Sequence, residues 1–163
     1  MRIILTRSFN HAGAGQKEGF MISDFAAGIA RIELGLQEKL FVGNLDARRD
    51  FTHVKDVVKA YRLLVKKGKG GEVYNVGSGT AWQAREILDR LCSISTASVL
   101  VQQDPRRMRP SDTPVIQCDR SKLTRDTGWQ PEFSIDDILR DTLEWYRDYY
   151  GSTGKKGCYK SRD

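Results

Sequence analysis

The chain has 163 residues, 39% apolar and 29% charged, with a formal net charge of +6. That suits one cored domain over 1–150 plus a tail, and excludes a helix crossing a membrane, since no run approaches the roughly 18 apolar residues one needs. The separated Cys92, Cys118 and Cys158 form no C-x-x-C pair, which argues against a disulfide framework or zinc site and for a reducing, cytoplasmic compartment.

Ile3–Leu5 reads as a short buried strand that delivers the polar residues Arg7 to His11 at its C-terminal end. A Gly-rich turn follows at 12–16. From Phe20, the set Ile22, Phe25, Ala26, Ile29, Ile32 and Leu36 recurs at three- and four-residue steps, one face of a helix ending near Gly35. Leu40–Val42 is a strand, and Gly43-Asn44 a turn. Phe51-Thr52-His53 leads into a second helix with Val54, Val57, Val58, Tyr61, Leu64 and Val65 on its buried face and Gly68 as its stop. Val73–Val76 is the next strand, closed by Gly77-Ser78-Gly79. A helix bearing Ala84, Ile87, Leu88 and Leu91 precedes a β-rich stretch at 98–102. The loop from Pro105 to Pro110 cannot be helical across its prolines. In the closing helix Ser134 is the N-cap, Asp136 and Asp137 suit the first turn, and Ile135, Ile138, Leu139, Thr142, Leu143 and Tyr146 form the buried face. Residues 151–163 form a Gly-rich basic tail without apolar periodicity, expected to be disordered. Half of the charge excess lies there, so the basicity predicts no nucleic-acid partner. Alternating strands and helices give an α/β class, with a few short strands and four or five helices.

The chain carries no G-x-G-x-x-G, no phosphate-cradling G-x-x-x-x-G-K-[ST], no H-E-x-x-H and no G-x-S-x-G. Two histidines, His11 and His53, are too few for a His-built metal site. What remains suits anions. Asn10 ends a strand, where ligands gather in open α/β sheets. Arg49 stands before a helix start, and Arg109 is on a proline-stiffened loop followed by Asp112. Two guanidinium forks match a diphosphate bidentately. Each has a plainer reading: Asn10 as a turn cap, Arg49-Asp50 as a surface ion pair, Arg109-Pro110 as mere loop.

Taken in order, these segments resemble a known family. Residues 7–16, RSFNHAGAGQ, are similar to the R-x-F-N-H-x-G-P-G-Q segment of extended short-chain dehydrogenases/reductases acting on nucleotide sugars, the NAD-dependent epimerase/dehydratase family. Residues 42–58, VGNLDARRDFTHVKDVV, resemble its V-G-N-L-x-A-x-R-D-F-x-x-V-x-D-x-V segment. Residues 74–79, YNVGSG, match its next strand and turn. Residues 109–114, RPSDTP, and 127–131, TGWQP, resemble the GDP-mannose branch, whose members are GDP-6-deoxy-4-keto-mannose reductases and GDP-mannose 4,6-dehydratases. The resemblance covers about residues 2–147.

It implies the C-terminal portion of an extended Rossmann-type enzyme, because the family's cofactor glycines and Tyr-x-x-x-Lys pair lie upstream. No tyrosine here has a lysine four positions on. The intact relatives use NAD or NADP; this chain alone is expected to bind neither and to perform no catalysis. Carried over, the resemblance places Asn10 against the diphosphate, Arg49 and Arg109 as phosphate clamps, and Asp112 on ribose or guanine. Val42 and Asn44 flank the base, and Phe20 closes the pocket. Within the loop it singles out Arg109 over Arg106 and Arg107. Ala14 replaces the usual proline, and Asp24 stands where dehydratases tend to carry lysine, which favours the reductase. The implied partners are a GDP-linked sugar and the missing N-terminal half or a homologous subunit. A non-catalytic truncated remnant is the rival reading.

Overall fold

A computed structural model describes residues 1–108 and 113–153. Its strands are β1 (Leu5–Ser8), β2 (Asn10–Ala12), β3 (Lys39–Val42), β4 (Arg48–His53), β5 (Val73–Val76), β6 (Ala81–Gln83), β7 (Leu100–Gln103) and β8 (Val115–Ile116). Its helices are α1 (Met21–Glu33), α2 (Val54–Lys67), α3 (Ala84–Ser93), α4 (Ser121–Thr127) and α5 (Ile135–Thr153). The expected α/β class is what forms.

The pairings are short and mostly parallel. β1 pairs with β5, β3 with β7, and β2 with β4, whose other partners are antiparallel β6 and parallel β8. Two apolar clusters fill the interior. The larger joins α1, α3 and α5 to β3 and β4 through Phe25, Ile29, Leu40, Ile87, Leu91, Leu139 and Leu143. The smaller packs α2 and α4 on β5 through Val57, Leu64, Tyr74, Leu123 and Trp129.

Helix α1 follows its apolar period, but ends at Glu33; Gly35 (φ +70) turns the chain and Leu36 is left exposed. Gly28 is required here. A Cβ on it would stand 2.3 Å from Leu40 Cδ1, so its bare backbone lets α1 lie close on β3. Helix α2 is capped by His53, whose Nδ1 accepts the Lys55 N–H. Its Nε2 donates to Asp141 of α5 (3.1 Å), and its ring stacks on Phe133. Ser134 and Asp137 form a reciprocal cap on α5: the Ser134 N–H donates to Asp137 Oδ2 (2.8 Å), and the Asp137 N–H donates to Ser134 Oγ (3.2 Å).

Several expectations change. Residues 48–53, expected only as the lead into a helix, are the central strand β4; the paired arginines did not prevent pairing with three other strands. β6 and α4 were not expected, being too short for periodicity to register. β1 is exposed along its length, because it pairs only with β5 among the described residues. The predicted inner face of α2 splits: Val57 and Leu64 are buried, whereas Val58, Tyr61 and Val65 face outward. The last helix runs to Thr153, three residues past the expected boundary at 150. The rest of the tail, 154–163, lies outside the described residues, as do Arg109 and Asp112.

Candidate functional site: two adjoining cavities that meet at Arg49

Strand register brings the first group together. Asn10 of β2 stands beside Phe51 of β4, and alternation puts Arg49 on the same side of β4 as Phe51. Asn10, Arg49 and Phe51 accordingly line one cavity of about 570 Å³, with His11, Gln16 and Phe20. Phe20 is the N-cap residue of α1 and is 61% exposed, an apolar surface at the mouth.

A second cavity, about 410 Å³, opens between the start of α1 and the end of β3. Phe41, Val42, Asn44 and Asp24 line it, together with Arg106 and Arg107. Arg49 lines both cavities. Val42 is buried, and its carbonyl accepts the Asp104 N–H (2.9 Å), which brings the loop after β7 to the cavity wall. Gly43 makes that approach possible: a Cβ there would lie 2.3 Å from the Arg107 carbonyl oxygen. The Asn44 side chain accepts the Asp46 N–H (2.8 Å), a local turn that fixes its amide.

Charge in the two cavities is mainly positive. Arg49 Nη1 donates to the carbonyls of Arg48 (2.8 Å) and Pro114 (3.4 Å), which holds its stem against β4. Asp50, on the opposite face, is fully buried. It accepts the N–H groups of Ser78 (2.9 Å), Gly79 (2.8 Å) and Cys118 (3.0 Å), plus the Ser78 hydroxyl (2.7 Å). Arg49-Asp50 is therefore no surface ion pair. Arg106 pairs with Asp104, which holds that carboxyl below its ordinary range chiefly through the side-chain hydrogen bond. The structure thus sets five of the seven expected residues, Asn10, Phe20, Val42, Asn44 and Arg49, around two adjoining cavities. It also adds Arg106 and Arg107, passed over in favour of Arg109, along with Phe41 and Gln16, and it sets Asp24, singled out in the sequence only by its contrast with the dehydratases, in the second cavity. No periodic signal marks these: they converge because Gly28 and Gly43 let α1 and the 105–107 turn close on β3.

A family model described as GDP-mannose 4,6 dehydratase matches residues 1–142. The chain belongs to that family. It is 41% identical over 146 residues to the GDP-6-deoxy-D-mannose reductase of Pseudomonas aeruginosa, covering 88% of this chain and 48% of that protein. To the GDP-mannose 4,6-dehydratase of Vibrio cholerae it is 27% identical, covering 83% and 44%. The structure of RMD from Pseudomonas aeruginosa complexed with NADPH superposes with a TM-score of 0.86 at 38% identity, over 91% of this chain and 49% of that one. UDP-glucose 4-epimerase from Bifidobacterium longum, in complex with NAD+ and UDP, gives 0.74 at 25%, over 94% and 49%. The chain spans about half the length of the relatives it matches. The expected resemblance and the Rossmann-type fold are thereby borne out.

The two solved relatives were captured with nicotinamide cofactors, but the glycine turn described here offers no cradle for one. The glycine turn after a parallel strand, Gly77-Ser78-Gly79, has its Ser78 and Gly79 N–H groups taken by Asp50, so they cannot cradle a pyrophosphate. Neither cavity is lined by a tyrosine or a lysine among the described residues.

Proposed function

We propose that this chain is the substrate-binding half of an NAD(P)-dependent enzyme acting on a GDP-linked sugar, with a GDP-4-keto-6-deoxy-mannose reductase favoured over a GDP-mannose 4,6-dehydratase. The observation that carries the reading is the pair of cavities meeting at Arg49, in a chain 41% identical to such a reductase. The nucleoside occupies the cavity of Val42 and Asn44, and the diphosphate crosses Arg49. The sugar enters the cavity of Asn10 and Phe20. Asn10 donates to a phosphate oxygen and Arg49 supplies a forked guanidinium. By resemblance, Arg109 completes the clamp and Asp112 accepts from the ribose. Arg106 and Arg107 add positive potential at the rim.

The other half of the enzyme packs on β1 and α2. Strand β1 has one free edge among the described residues, and Ile3, Leu5, Val58, Tyr61 and Val65 are exposed beside it. Bonds from Arg2 to the Val65 carbonyl (2.6 Å) and between Ser8 and Tyr61 hydroxyls (2.6 Å) place α2 on the Ile4 and Ser8 side of β1, so Val58, Tyr61 and Val65 belong to one face beside that edge and, by strand alternation, Ile3 and Leu5 to the other. A parallel strand added to that edge would cover them.

Calorimetric titration of GDP into the chain tests the reading. Binding is expected, weakened roughly ten- to a hundredfold by Arg49→Ala, as loss of a charged hydrogen bond implies. NADPH oxidation with a GDP-linked 4-keto sugar is expected to be absent until the N-terminal half is supplied. Turnover by the isolated chain at enzyme-like rates would overturn the division of labour.

A further inference from the structure

We infer that Asp24 selects guanine, accepting hydrogen bonds from the base's N1–H and its exocyclic amine in the cavity of Phe41, Val42 and Asn44. The inference rests on the GDP-sugar reading and names the group that makes the site prefer guanosine. Asp24 lines the 410 Å³ cavity and not the one that holds Asn10, so it stands away from the sugar end.

Among the described residues lining that cavity it is the one carboxylate, facing a site otherwise furnished with Arg49, Arg106 and Arg107. An acid beside a diphosphate would repel it, so Asp24 belongs with a part of the ligand that donates. Guanine presents two neighbouring N–H donors on one edge, spaced for the two oxygens of a carboxylate. Uracil and thymine offer a single N–H between two carbonyls, which a carboxylate would meet unfavourably. Adenine pairs its amine with a ring acceptor on that edge.

The carboxylate is also held in place. Its Oδ1 accepts the Gly19 N–H at 2.6 Å, across the first turn of α1. Its Oδ2 accepts no hydrogen bond among the described residues. One oxygen thus orients the group, and the other is left for a ligand. Phe41, 39% exposed on β3, adds an aromatic face to the same cavity.

The plain alternative is that Asp24 serves only to hold Gly19. Asp24→Asn separates the two roles: its carbonyl oxygen keeps the Gly19 bond, while its amide donor opposes the donors of guanine. GDP, IDP, ADP and UDP are titrated calorimetrically into the wild-type chain and this variant, with thermal melts confirming that both fold. The wild type is expected to bind GDP best, with IDP weaker because it lacks the amine. In Asp24→Asn, GDP affinity is expected to fall about tenfold or more, IDP affinity less, and UDP and ADP affinities within twofold. An equal loss for all four nucleotides would show that Asp24 acts through the helix. Unchanged GDP binding would show that it does not touch the base. Either result overturns the inference while GDP preference in the wild type leaves the GDP-sugar reading standing. A wild type that binds UDP or ADP as well as GDP, or no nucleotide at all, overturns both.

Discussion

Neighbouring residues on β4 have opposite tasks because a strand turns alternate side chains to opposite faces. Arg49 lines the cavities, and Asp50 locks the strand's back to the 78–79 turn and to Cys118. A buried carboxylate with four donors is stable only while all of them point at it. Asp50→Asn replaces one acceptor oxygen by a donor, and that donor faces N–H groups. It is expected to lower unfolding free energy by about 1–3 kcal/mol or more, read by urea denaturation. The same carboxylate, after desolvation by burial, helps to push the Cys118 thiol up to about 12. Cys118 is therefore expected to resist alkylation in the native chain and to react once it is unfolded. Native labelling of Cys118 at the rate of an exposed thiol would contradict the buried geometry.

Helix α1 carries the cavity wall and depends on α5 for its placement. Their far ends are joined by Glu33 and Arg147, at 2.7 Å, with Ser95 and the Thr96 N–H as further donors to Glu33. These bonds, led by Arg147, hold the Glu33 carboxyl down at about 2. A folded-state pKa below the unfolded value gives stability that is present above about pH 4.5 and is lost as pH falls toward 2. The contribution is on the order of 2–3 kcal/mol. Glu33→Gln is expected to lower stability at pH 7 and to flatten the acid limb between pH 4.5 and 2, read from urea midpoints at several pH values. An unchanged acid limb would mean that the pair contributes nothing to joining the helices. Just past the end of α4, Trp129 is fully buried and donates its Nε1–H to the Asp56 carbonyl (3.0 Å), which ties the 127–131 segment to α2. Its truncation to alanine is expected to cost about 3–5 kcal/mol.

For the whole molecule, the exposed apolar surface on β1 and α2 sets the behaviour of the isolated chain. Leu5 and Val65 are 55% and 72% exposed, beside a free strand edge. The chain alone is expected to self-associate and to bind a hydrophobic dye, both suppressed on co-expression with the N-terminal half of the reductase-like enzyme. Leu5→Lys with Val65→Lys should improve the solubility of the isolated chain and weaken that reconstitution. If the double variant reassembles as well as the wild type, the other half docks elsewhere. No helix among the described residues is long and apolar enough to cross a membrane.

The sequence by itself determined the α/β class, the span of α1 to within a few residues, the Ser134 cap of α5 and the family. Each is written locally: apolar steps of three and four, a capping serine, or a contiguous motif. It also named Asn10, Val42, Asn44 and Arg49, because they stand inside such motifs. Only the tertiary structure decided that residues 48–53 form a central strand, since pairing with β2, β6 and β8 depends on partners as distant in sequence as Val115 and Ile116. It alone showed which apolar residues of α2 are covered, because amphipathic periodicity does not record what lies opposite. The same limit hid Phe41 and Arg107, and left the place of Asp24 beside them unread; they meet because bare glycines let α1 and the 105–107 turn close on β3. A residue pattern reports local geometry and burial preference; a cavity is made by the approach of distant backbones.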